Sequence, residues 1–256
     1  MSSFLDPPPL AIAHRGGAAT GDNVGIENSL AAFAHAYALG YRYLETDVRA
    51  TSDGVVYAIH DARLDRLTGS ADAIDALTSE SFDLQRLDQR EPFARLDALL
   101  DAFPDARLMI DVKSDAAVDA TCRVLKAHDA VDRACLSTFS HARLRRMRRM
   151  LPGVTTSAST LEVVLTRFLP APLLRLVGVP GGRCLQVPHR HGPLRVVTRR
   201  FVRRAHALGQ QVHVWTVDDA QEINELLDLG VDGIITDRTD VLKDVLVARG
   251  TWRDPA

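Results

Sequence analysis

Short apolar segments alternate with amphipathic segments along nearly all of the 256 residues. The apolar segments are rich in β-branched residues, which indicates strands, and the segments between them carry apolar residues at helical spacing. We predict eight strands, at 10–14, 43–49, 107–113, 134–139, 154–158, 184–188, 212–217 and 233–237. An eightfold alternation of strand and helix over about 250 residues predicts an α/β protein whose strands close into a parallel TIM (β/α)8 barrel.

The segments between the strands are predicted to be the helices of this barrel. The first helix begins after Asn28 or Ser29 as its cap and ends at Gly40. The others are expected at 95–103, 116–128, 141–151, 161–176, 198–208, 219–229 and 240–248. The pattern weakens from about residue 62 to 93, which we interpret as a small insertion after the second barrel strand. The whole chain, 1–256, is predicted to be one domain.

Composition excludes several classes of partner. The 31 basic and 33 acidic side chains nearly cancel, so the net charge favours neither nucleic acid nor an anionic membrane. The basic helix at 143–149 has no interleaved aromatic residues, and a solvated face is the favoured interpretation. Three cysteines without short spacing indicate core thiols in a reducing compartment. Because neither a signal peptide nor a membrane-spanning run is seen, a cytoplasmic protein is expected.

The segment from Tyr43 to Asp61 concentrates polar residues that could form a site. Glu45 and Asp47 lie two positions apart on a predicted strand, so their side chains point the same way and could share one hard cation. A turn at 52–54 then returns the chain so that a short strand delivers His60. A solvated pair of strand carboxylates is the alternative.

Other candidate residues lie at the carboxyl ends of predicted strands, where the active sites of such barrels are found. They are His14, Arg15, Glu45, Asp47, Asp111, Lys113 and Trp215. Three carboxylates would suit Mg²⁺ or Ca²⁺, and two fixed cations beside them would suit a phosphate. His14 and His60 could divide proton transfer between nucleophile and leaving group, so phosphodiester cleavage is the reaction that uses every part.

Structural roles remain alternatives for several of these residues. His14 could be a core histidine, Lys113 a solvated strand end and Trp215 a packing residue. The histidines that have no carboxylate partner in the sequence pattern are interpreted as structural: His35, His128, His141, His206 and His213. The roles of His189 and His191, just after a strand end, are left open.

Taken in order, these segments resemble the glycerophosphodiester phosphodiesterases from Ala11 to about Val245. The resemblance rests on His14-Arg15-Gly16, Glu27-Asn28, Glu45-Thr46-Asp47-Val48, Asp53-Gly54, His60-Asp61, Asp111-Val112-Lys113, Val214-Trp215-Thr216-Val217 and Gly230-Val231-Asp232-Gly233-Ile234-Ile235-Thr236-Asp237. Each segment alone is weak, but the ordered set is highly specific.

The resemblance implies hydrolysis of a small-molecule glycerophosphodiester to glycerol 3-phosphate and an alcohol. By position, His14 and His60 would be the catalytic acid-base pair. Because they are delivered by different strands and can approach phosphorus from opposite sides, we assign His14 as the base and His60 as the acid. A divalent metal, Mg²⁺ or Ca²⁺ with Mn²⁺ as a further alternative, would bind Glu45, Asp47 and Asp111. Arg15 and Lys113 would bind the phosphate, and Trp215 would line the part of the site that holds the glycerol. Glu27 and Asn28 would orient the groups around the metal.

Two segments depart from the family pattern. Asp111 stands where the family usually has a glutamate, so the metal could be shifted, exchanged or bound through water. Ile26-Glu27-Asn28-Ser29 replaces a common Pro-Glu-Asn-Thr and follows a long loop, 17–25, that could reshape substrate entry.

Two other functions compete with this one. A lysophospholipase D-like enzyme acting on lipid-tailed diesters would need an apolar groove near residues 161–179. A catalytically silent barrel could bind phosphodiesters, although a binder has no need of two histidines. The head group, the pathway and the oligomeric state do not follow from the sequence.

Overall fold

Eight parallel strands form the centre of the fold in the computed structural model, which describes residues 4–5, 7–170, 173–174 and 181–253. They are β1 (Leu10–His14), β2 (Tyr43–Ala50), β3 (Arg107–Val112), β4 (Ala134–Ser137), β5 (Thr155–Thr156), β6 (Cys184–Pro188), β7 (Gln211–Trp215) and β8 (Gly233–Thr236). The strands pair in the order β5-β4-β3-β2-β1-β8-β7-β6. Their interiors are almost fully buried because helices cover one side and the barrel centre the other.

The barrel closes between β5 and β6. Ser157, next to β5, bridges Cys184 in parallel, and the backbone N–H of Ala158 donates to the carbonyl of Cys184 at 2.8 Å. The predicted TIM barrel is therefore confirmed. β5 is shorter than the predicted strand at 154–158 because its ladder with β4 extends over two residue pairs.

A helix follows each barrel strand. The helices are α1 (Leu30–Ala38), α2 (Leu96–Ala102), α3 (Asp115–Ala127), α4 (His141–Met150), α5 (Thr160–Phe168), α6 (Arg199–Ala207), α7 (Ala220–Leu229) and α8 (Thr239–Ala248). Ser29 caps α1, its hydroxyl accepting from the N–H of Ala32, which resolves the choice between Asn28 and Ser29.

The predicted helix at 161–176 is too long. α5 ends at Phe168 because Leu169 has an extended backbone and precedes Pro170, which disfavours helical geometry in the residue before it. Residues 171–172 and 175–176 of that prediction lie outside the described residues.

The segment between β2 and α2 adds small elements at the carboxyl end of the barrel. Strand Val56–Ala58 pairs antiparallel with β2, and helices Asp65–Thr68 and Ser79–Phe82 and a short strand pair follow. In this segment Phe82 packs edge-on against Tyr57 and tilted against Phe93, with ring centroids 4.5 and 4.7 Å apart, respectively. This packing fixes the position of the chain that continues into His60.

The cysteines and the helices bear on the expected location. Cys122, Cys135 and Cys184 are all buried and free, as predicted for core thiols. Within the described residues, every helix is too short or too polar to cross a bilayer.

Candidate active site

A cavity of about 720 Å³ opens at the carboxyl ends of the barrel strands. Eight predicted residues line it: His14, Arg15, Glu45, Asp47, His60, Asp111, Lys113 and Trp215. Residues separated by up to about 200 positions in the chain are therefore brought to one place. Two strand registers explain much of this, because His14 lies opposite Glu45 and Asp47 lies opposite Asp111.

A sharp turn after β1 aims His14 and Arg15 into the cavity. Arg15 has a φ of 51°, and Gly16 follows with a φ of 86°. A Cβ on Gly16 would lie 2.8 Å from the backbone of Ala32, so only glycine fits between the turn and α1. The N–H of Arg15 donates to the carbonyl of Glu45 at 3.0 Å, which fixes the unusual backbone of Arg15.

His14 is held between two carboxylates. Its Nδ1 lies 2.8 Å from Oδ1 of Asp237, and its Nε2 lies 3.8 Å from Oε2 of Glu45. Burial alone would lower the pKa of His14, but Glu45 and the hydrogen-bonded Asp237 together raise it. With Nδ1–H donated to Asp237, Nε2 is the ring nitrogen that faces the cavity.

His60 approaches from the segment after β2 and is more accessible, with 40% of its side chain exposed. Its Nδ1 pairs with Oδ1 of Asp61 at 2.7 Å, and Arg66 donates to the other oxygen of Asp61 at 2.7 Å. Arg49 donates to the backbone carbonyl of His60 at 2.8 Å. Both ring and backbone of His60 are thus fixed, and its Nε2 is left for substrate.

Asp47 binds both cations of the site. Lys113 Nζ lies 2.7 Å from Oδ1 of Asp47 and 2.6 Å from Oδ2 of Asp111. Arg15 Nε lies 2.9 Å from Oδ2 of Asp47. Burial would raise the pKa of Asp47, but Lys113 and Arg15 outweigh it and lower the pKa, so Asp47 is ionised.

The other two carboxylates are less well compensated. Burial, with repulsion from Asp47 as a second cause, raises the pKa of Glu45 to about 7. Burial also raises the pKa of Asp111 despite the ammonium of Lys113. Burial disfavours the charged forms of Glu45 and Asp111, so the nearby Arg15 and Lys113 do not fully compensate the negative charge of the three carboxylates. An additional cation at this site would be stabilising.

The donor set fits a hard divalent cation in chemistry. Glu45 Oε2 and Asp111 Oδ1 are buried without a hydrogen-bond partner, whereas Asp47 Oδ2 lies 2.9 Å from Arg15 Nε. Carboxylate oxygens of this kind are the preferred ligands of Mg²⁺ and Ca²⁺. As their side chains lie, however, no three His, Cys, Asp or Glu residues in the described part of the chain are grouped to hold one ion. Lys113 lies between Asp47 and Asp111 instead.

Glu27 and Asn28 act beside the cavity rather than in its wall. Glu27 accepts from Arg15 at 3.0 Å and from two nitrogens of Arg66 at 2.7 Å each, so it orients Arg15. Asn28 accepts from the hydroxyl of Thr46 at 2.8 Å, between Glu45 and Asp47 on β2. The structure therefore links Glu27 to Arg15 and Asn28 to the strand that carries Glu45 and Asp47.

Sequence reasoning missed two partners and one wall of the site. Asp237 and Asp61 hold the histidines, and both lie in segments of the family pattern, although the resemblance assigns neither a role. The rule of strand ends would have found Asp237, because it follows β8 and β8 pairs with β1. The apolar wall was not predicted residue by residue: Phe139, Val163, Val164, Phe168, Pro188, Leu194, Val196 and Ile235 line the cavity.

The remaining histidines have other partners. His35, His128, His141, His206 and His213 bond to Asn23, Asp101, Ser159, Asp232 and Gln211, respectively. His189 is buried and pairs with Glu222, whereas His191 is exposed and lines the cavity mouth.

Fold and site together define a TIM-barrel hydrolase suited to phosphate esters. A family model described as the glycerophosphoryl diester phosphodiesterase family matches residues 14–241. The chain belongs to this family and is an enzyme, so the alternative of a silent binding barrel is set aside.

Relatives agree with this assignment. The "Probable glycerophosphodiester phosphodiesterase 2" of Mycobacterium tuberculosis is 40% identical over 254 residues, which cover 95% of this chain and 92% of the relative. Human "Lysophospholipase D GDPD1" is 25% identical, with 92% and 85% covered. The structure of an Oleispira antarctica phosphodiesterase, in complex with the product sn-glycerol-3-phosphate, has the same fold, with a TM-score of 0.81, 19% identity and coverage of 96% and 100%.

Proposed function

We propose that this enzyme hydrolyses glycerophosphodiesters to glycerol 3-phosphate and an alcohol. The carrying observation is that His14, His60 and three carboxylates share one cavity with Arg15 and Lys113. The Oleispira antarctica phosphodiesterase, which shares the fold, binds the product sn-glycerol-3-phosphate. The substrate is thus a small anionic diester. Glycerol and lipid metabolism are the proposed settings.

Arg15 and Lys113 are the proposed phosphate ligands. Both side chains are largely buried, so their charges are little screened by solvent and act strongly on the non-bridging oxygens. Glu27 holds the guanidinium of Arg15 in place at 3.0 Å, so little ordering is needed when substrate binds.

The two histidines divide the proton transfers in the proposed mechanism. Nε2 of His14 takes the proton from the glycerol hydroxyl next to the phosphate as that hydroxyl attacks phosphorus, and Asp237 stabilises the imidazolium that forms. Nε2 of His60 gives a proton to the oxygen of the departing alcohol as the bond from phosphorus to that oxygen breaks. Once the alcohol has left, water opens the resulting cyclic phosphate, and glycerol 3-phosphate is the product. Trp215 is proposed to line the glycerol end, and its ring packs edge-on against Phe139 with centroids 6.3 Å apart.

A divalent metal is proposed as cofactor, Mg²⁺ or Ca²⁺ with Mn²⁺ as a further alternative. Glu45, Asp47 and Asp111 would hold it, and the buried, unpartnered oxygens of Glu45 and Asp111 support the proposal. When bound, the ion would supply charge that stabilises the developing negative charge on phosphate oxygens. Lys113 would then leave the two aspartates and be available to the substrate.

The test of the proposed function is a hydrolysis assay over glycerophosphocholine, -ethanolamine, -glycerol and -inositol, with glycerol 3-phosphate as the measured product. We expect activity that chelation abolishes and that Mg²⁺, Mn²⁺ or Ca²⁺ restores. Full activity after exhaustive chelation, with no metal in the protein by elemental analysis, would falsify the metal site. Release of a phosphomonoester other than glycerol 3-phosphate would refute the substrate assignment.

Lipid-tailed diesters are the second candidate substrates, and the apolar wall favours them. Val163, Val164 and Phe168 of α5 line the cavity within the predicted region 161–179, of which residues 171–172 and 175–179 lie outside the described residues. A relative from Homo sapiens is named a lysophospholipase D. Comparing kcat/KM for lysophosphatidylcholine and glycerophosphocholine tests this candidate, which fails if the tail lowers kcat/KM.

A cytoplasmic location remains a proposal, supported by three free, buried cysteines, which suit a reducing compartment. It is tested by comparing the enzyme in cytoplasmic and membrane fractions of the source cells.

A further inference from the structure

Charge is distributed very unevenly along this chain. Residues 133–217 contain 15 arginines, no lysine or aspartate, and one glutamate, Glu162. The rest of the chain has the remaining 16 basic and 32 acidic residues. Glu162 is itself neutralised by Arg148, whose Nη1 lies 2.7 Å from it. The near-neutral net charge of the chain therefore conceals one strongly basic sector, residues 133–217, and an acidic remainder.

Exposed apolar side chains collect in the same sector, at the cavity mouth. Six of the nine large apolar side chains exposed in the described part of the chain lie between residues 139 and 194. Four of these six also line the cavity, which places them at its rim: Phe139, Val164, Phe168 and Leu194, with 62%, 47%, 66% and 53% exposed. Exposed large apolar side chains beside an apolar cavity mark an interaction surface.

Two arginines on a hairpin flank this rim. Strands Arg190–His191 and Leu194–Arg195 pair antiparallel, and Arg190 lies directly opposite Arg195. Like charges in opposite cross-strand positions repel one another. Both residues are exposed, and neither forms an ion pair with an acidic side chain of the described residues. An anionic surface that approaches the hairpin would relieve this repulsion.

We propose that the cavity mouth docks on an anionic lipid bilayer. The rim formed by Phe139, Val164, Phe168 and Leu194 would enter the boundary between head groups and acyl chains, as apolar side chains of peripheral proteins do. Arg190 and Arg195 would contact the anionic head groups beside it. The apolar rim side chains suit the acyl-chain region of a bilayer, and the two arginines beside them suit its anionic head groups. The rim also continues into the apolar wall of the cavity. Docking does not depend on the proposed hydrolysis. The idea that docking delivers a lipid-tailed substrate to the cavity does rest on the proposed function.

The docking test is co-sedimentation of the full chain with vesicles of phosphatidylcholine mixed with phosphatidylglycerol, beside vesicles of phosphatidylcholine alone. We expect binding to the anionic vesicles that high salt weakens. The double variant Arg190→Glu/Arg195→Glu should bind at least about thirtyfold more weakly, since each basic side chain near an anionic surface contributes about fivefold in affinity. Its turnover of glycerophosphocholine should equal that of the wild type, which shows that the site is intact.

Matched variants separate docking at the mouth from general attraction to the basic sector. Arg145→Glu/Arg149→Glu makes the same charge change on exposed positions of α4 that do not line the cavity. Phe168→Ser should weaken vesicle binding about tenfold, whereas Leu84→Ser, which alters a side chain 77% exposed in the insertion, should not.

Three outcomes would overturn the proposal. The first is no binding of the wild type to the anionic vesicles. The second is an equal loss from Arg145→Glu/Arg149→Glu and from Arg190→Glu/Arg195→Glu. The third is that the wild type binds single-stranded RNA but not vesicles, and that Arg190→Glu/Arg195→Glu abolishes RNA binding. The surface would then be a nucleic-acid site. Vesicle binding is measured without turnover, so failure of the proposed hydrolysis would be seen separately in the glycerophosphocholine assay.

Discussion

Asp237 and His14 join the last and first strands of the barrel through a bond of 2.8 Å between Oδ1 and Nδ1. Asp237 is itself fixed, because its backbone N–H donates to Asp218 at 2.8 Å. A carboxylate held in this way selects the histidine tautomer and supports a positive charge on the ring. Asp237 is therefore a positioning residue for the proposed base.

Replacing Asp237 tests this relationship. Asp237→Ala should lower kcat about 10- to 100-fold with little change in KM, because the ring of His14 loses its orientation while the proposed phosphate ligands, Arg15 and Lys113, remain. Steady-state kinetics on glycerophosphocholine measure both constants. Asp240→Ala removes a nearby carboxylate that pairs with Arg238 and should leave kcat unchanged. An Asp237→Ala variant with the kcat of the wild type would contradict the positioning role.

Asp111 tests the proposed metal site. Asp111→Ala should reduce activity as far as chelation does and should weaken binding of Mn²⁺ measured by isothermal titration calorimetry, because one of three oxygen ligands is lost. Asp111→Glu should retain measurable activity and change the preference among Mg²⁺, Mn²⁺ and Ca²⁺, since its carboxylate reaches one methylene further. Asp119→Ala, on α3 and away from the cavity, is the control. A fully active Asp111→Ala variant would remove this residue from the site.

The fold could be predicted because most barrel strands are marked locally by a short, buried apolar segment, often β-branched, that is followed by polar residues. The alternation of these segments with helices leaves few topologies open. The two poorest predictions have local causes as well. β5 has only two residues, too few to show a clear strand pattern. α5 ends before Pro170, whereas the apolar spacing alone predicts that the helix continues past this residue.

The site could be predicted only in part because its internal bonds join distant segments. The alternation of strands and helices makes β2 and β3 parallel neighbours, so it predicts that Asp47 and Asp111 lie side by side at the strand ends. That Lys113 lies between them, and that Arg15 also turns to Asp47, depends on side-chain positions that no local pattern encodes. The apolar wall was harder still, because Phe139 lies just after β4 and Leu194 lies on a two-residue hairpin strand, and no periodic spacing marks either position.

Glu162 gives a prediction about pH and stability. Burial would raise its pKa, but hydrogen bonds from Arg148 and from the N–H of Ser159 outweigh burial and lower the pKa below its ordinary value of 4.5. Because the folded pKa is depressed, this contribution is fully present above about pH 4.5 and is lost as the pH falls through the folded pKa.

Glu162→Gln should therefore reduce the free energy of unfolding by about 2 kcal/mol at pH 7, since Arg148 loses its buried charge partner. The difference from the wild type should shrink as the pH falls below about 4.5. Urea unfolding at several pH values measures it, and the exposed Glu80→Gln serves as control. A difference that stays constant down to pH 3 would disprove the linkage.

Substrate shape gives another prediction, which follows from a polar site with Arg15 and Lys113 beside the carboxylates. The enzyme should require the glycerol hydroxyl next to the phosphate, as the proposed substrate implies. Head groups should be accepted within about tenfold in kcat/KM, a difference of about 1.4 kcal/mol. Equal turnover of bis-aryl phosphodiesters that lack any hydroxyl would count against this requirement.

The two histidines differ in their surroundings, which allows their roles to be separated. His14 is largely buried beside Glu45, whereas His60 is 40% exposed and held by Asp61. A general acid matters only when the departing alkoxide is a poor leaving group. His60→Ala should therefore lose about 100-fold or more in kcat on glycerophosphocholine but be largely rescued on glycerophospho-p-nitrophenol, whereas His14→Ala should be equally poor on both. Rescue of His14→Ala instead would reverse the two roles. Rescue of neither would show that the proton for the departing alcohol comes from another group, so that the proposed division between the histidines is wrong.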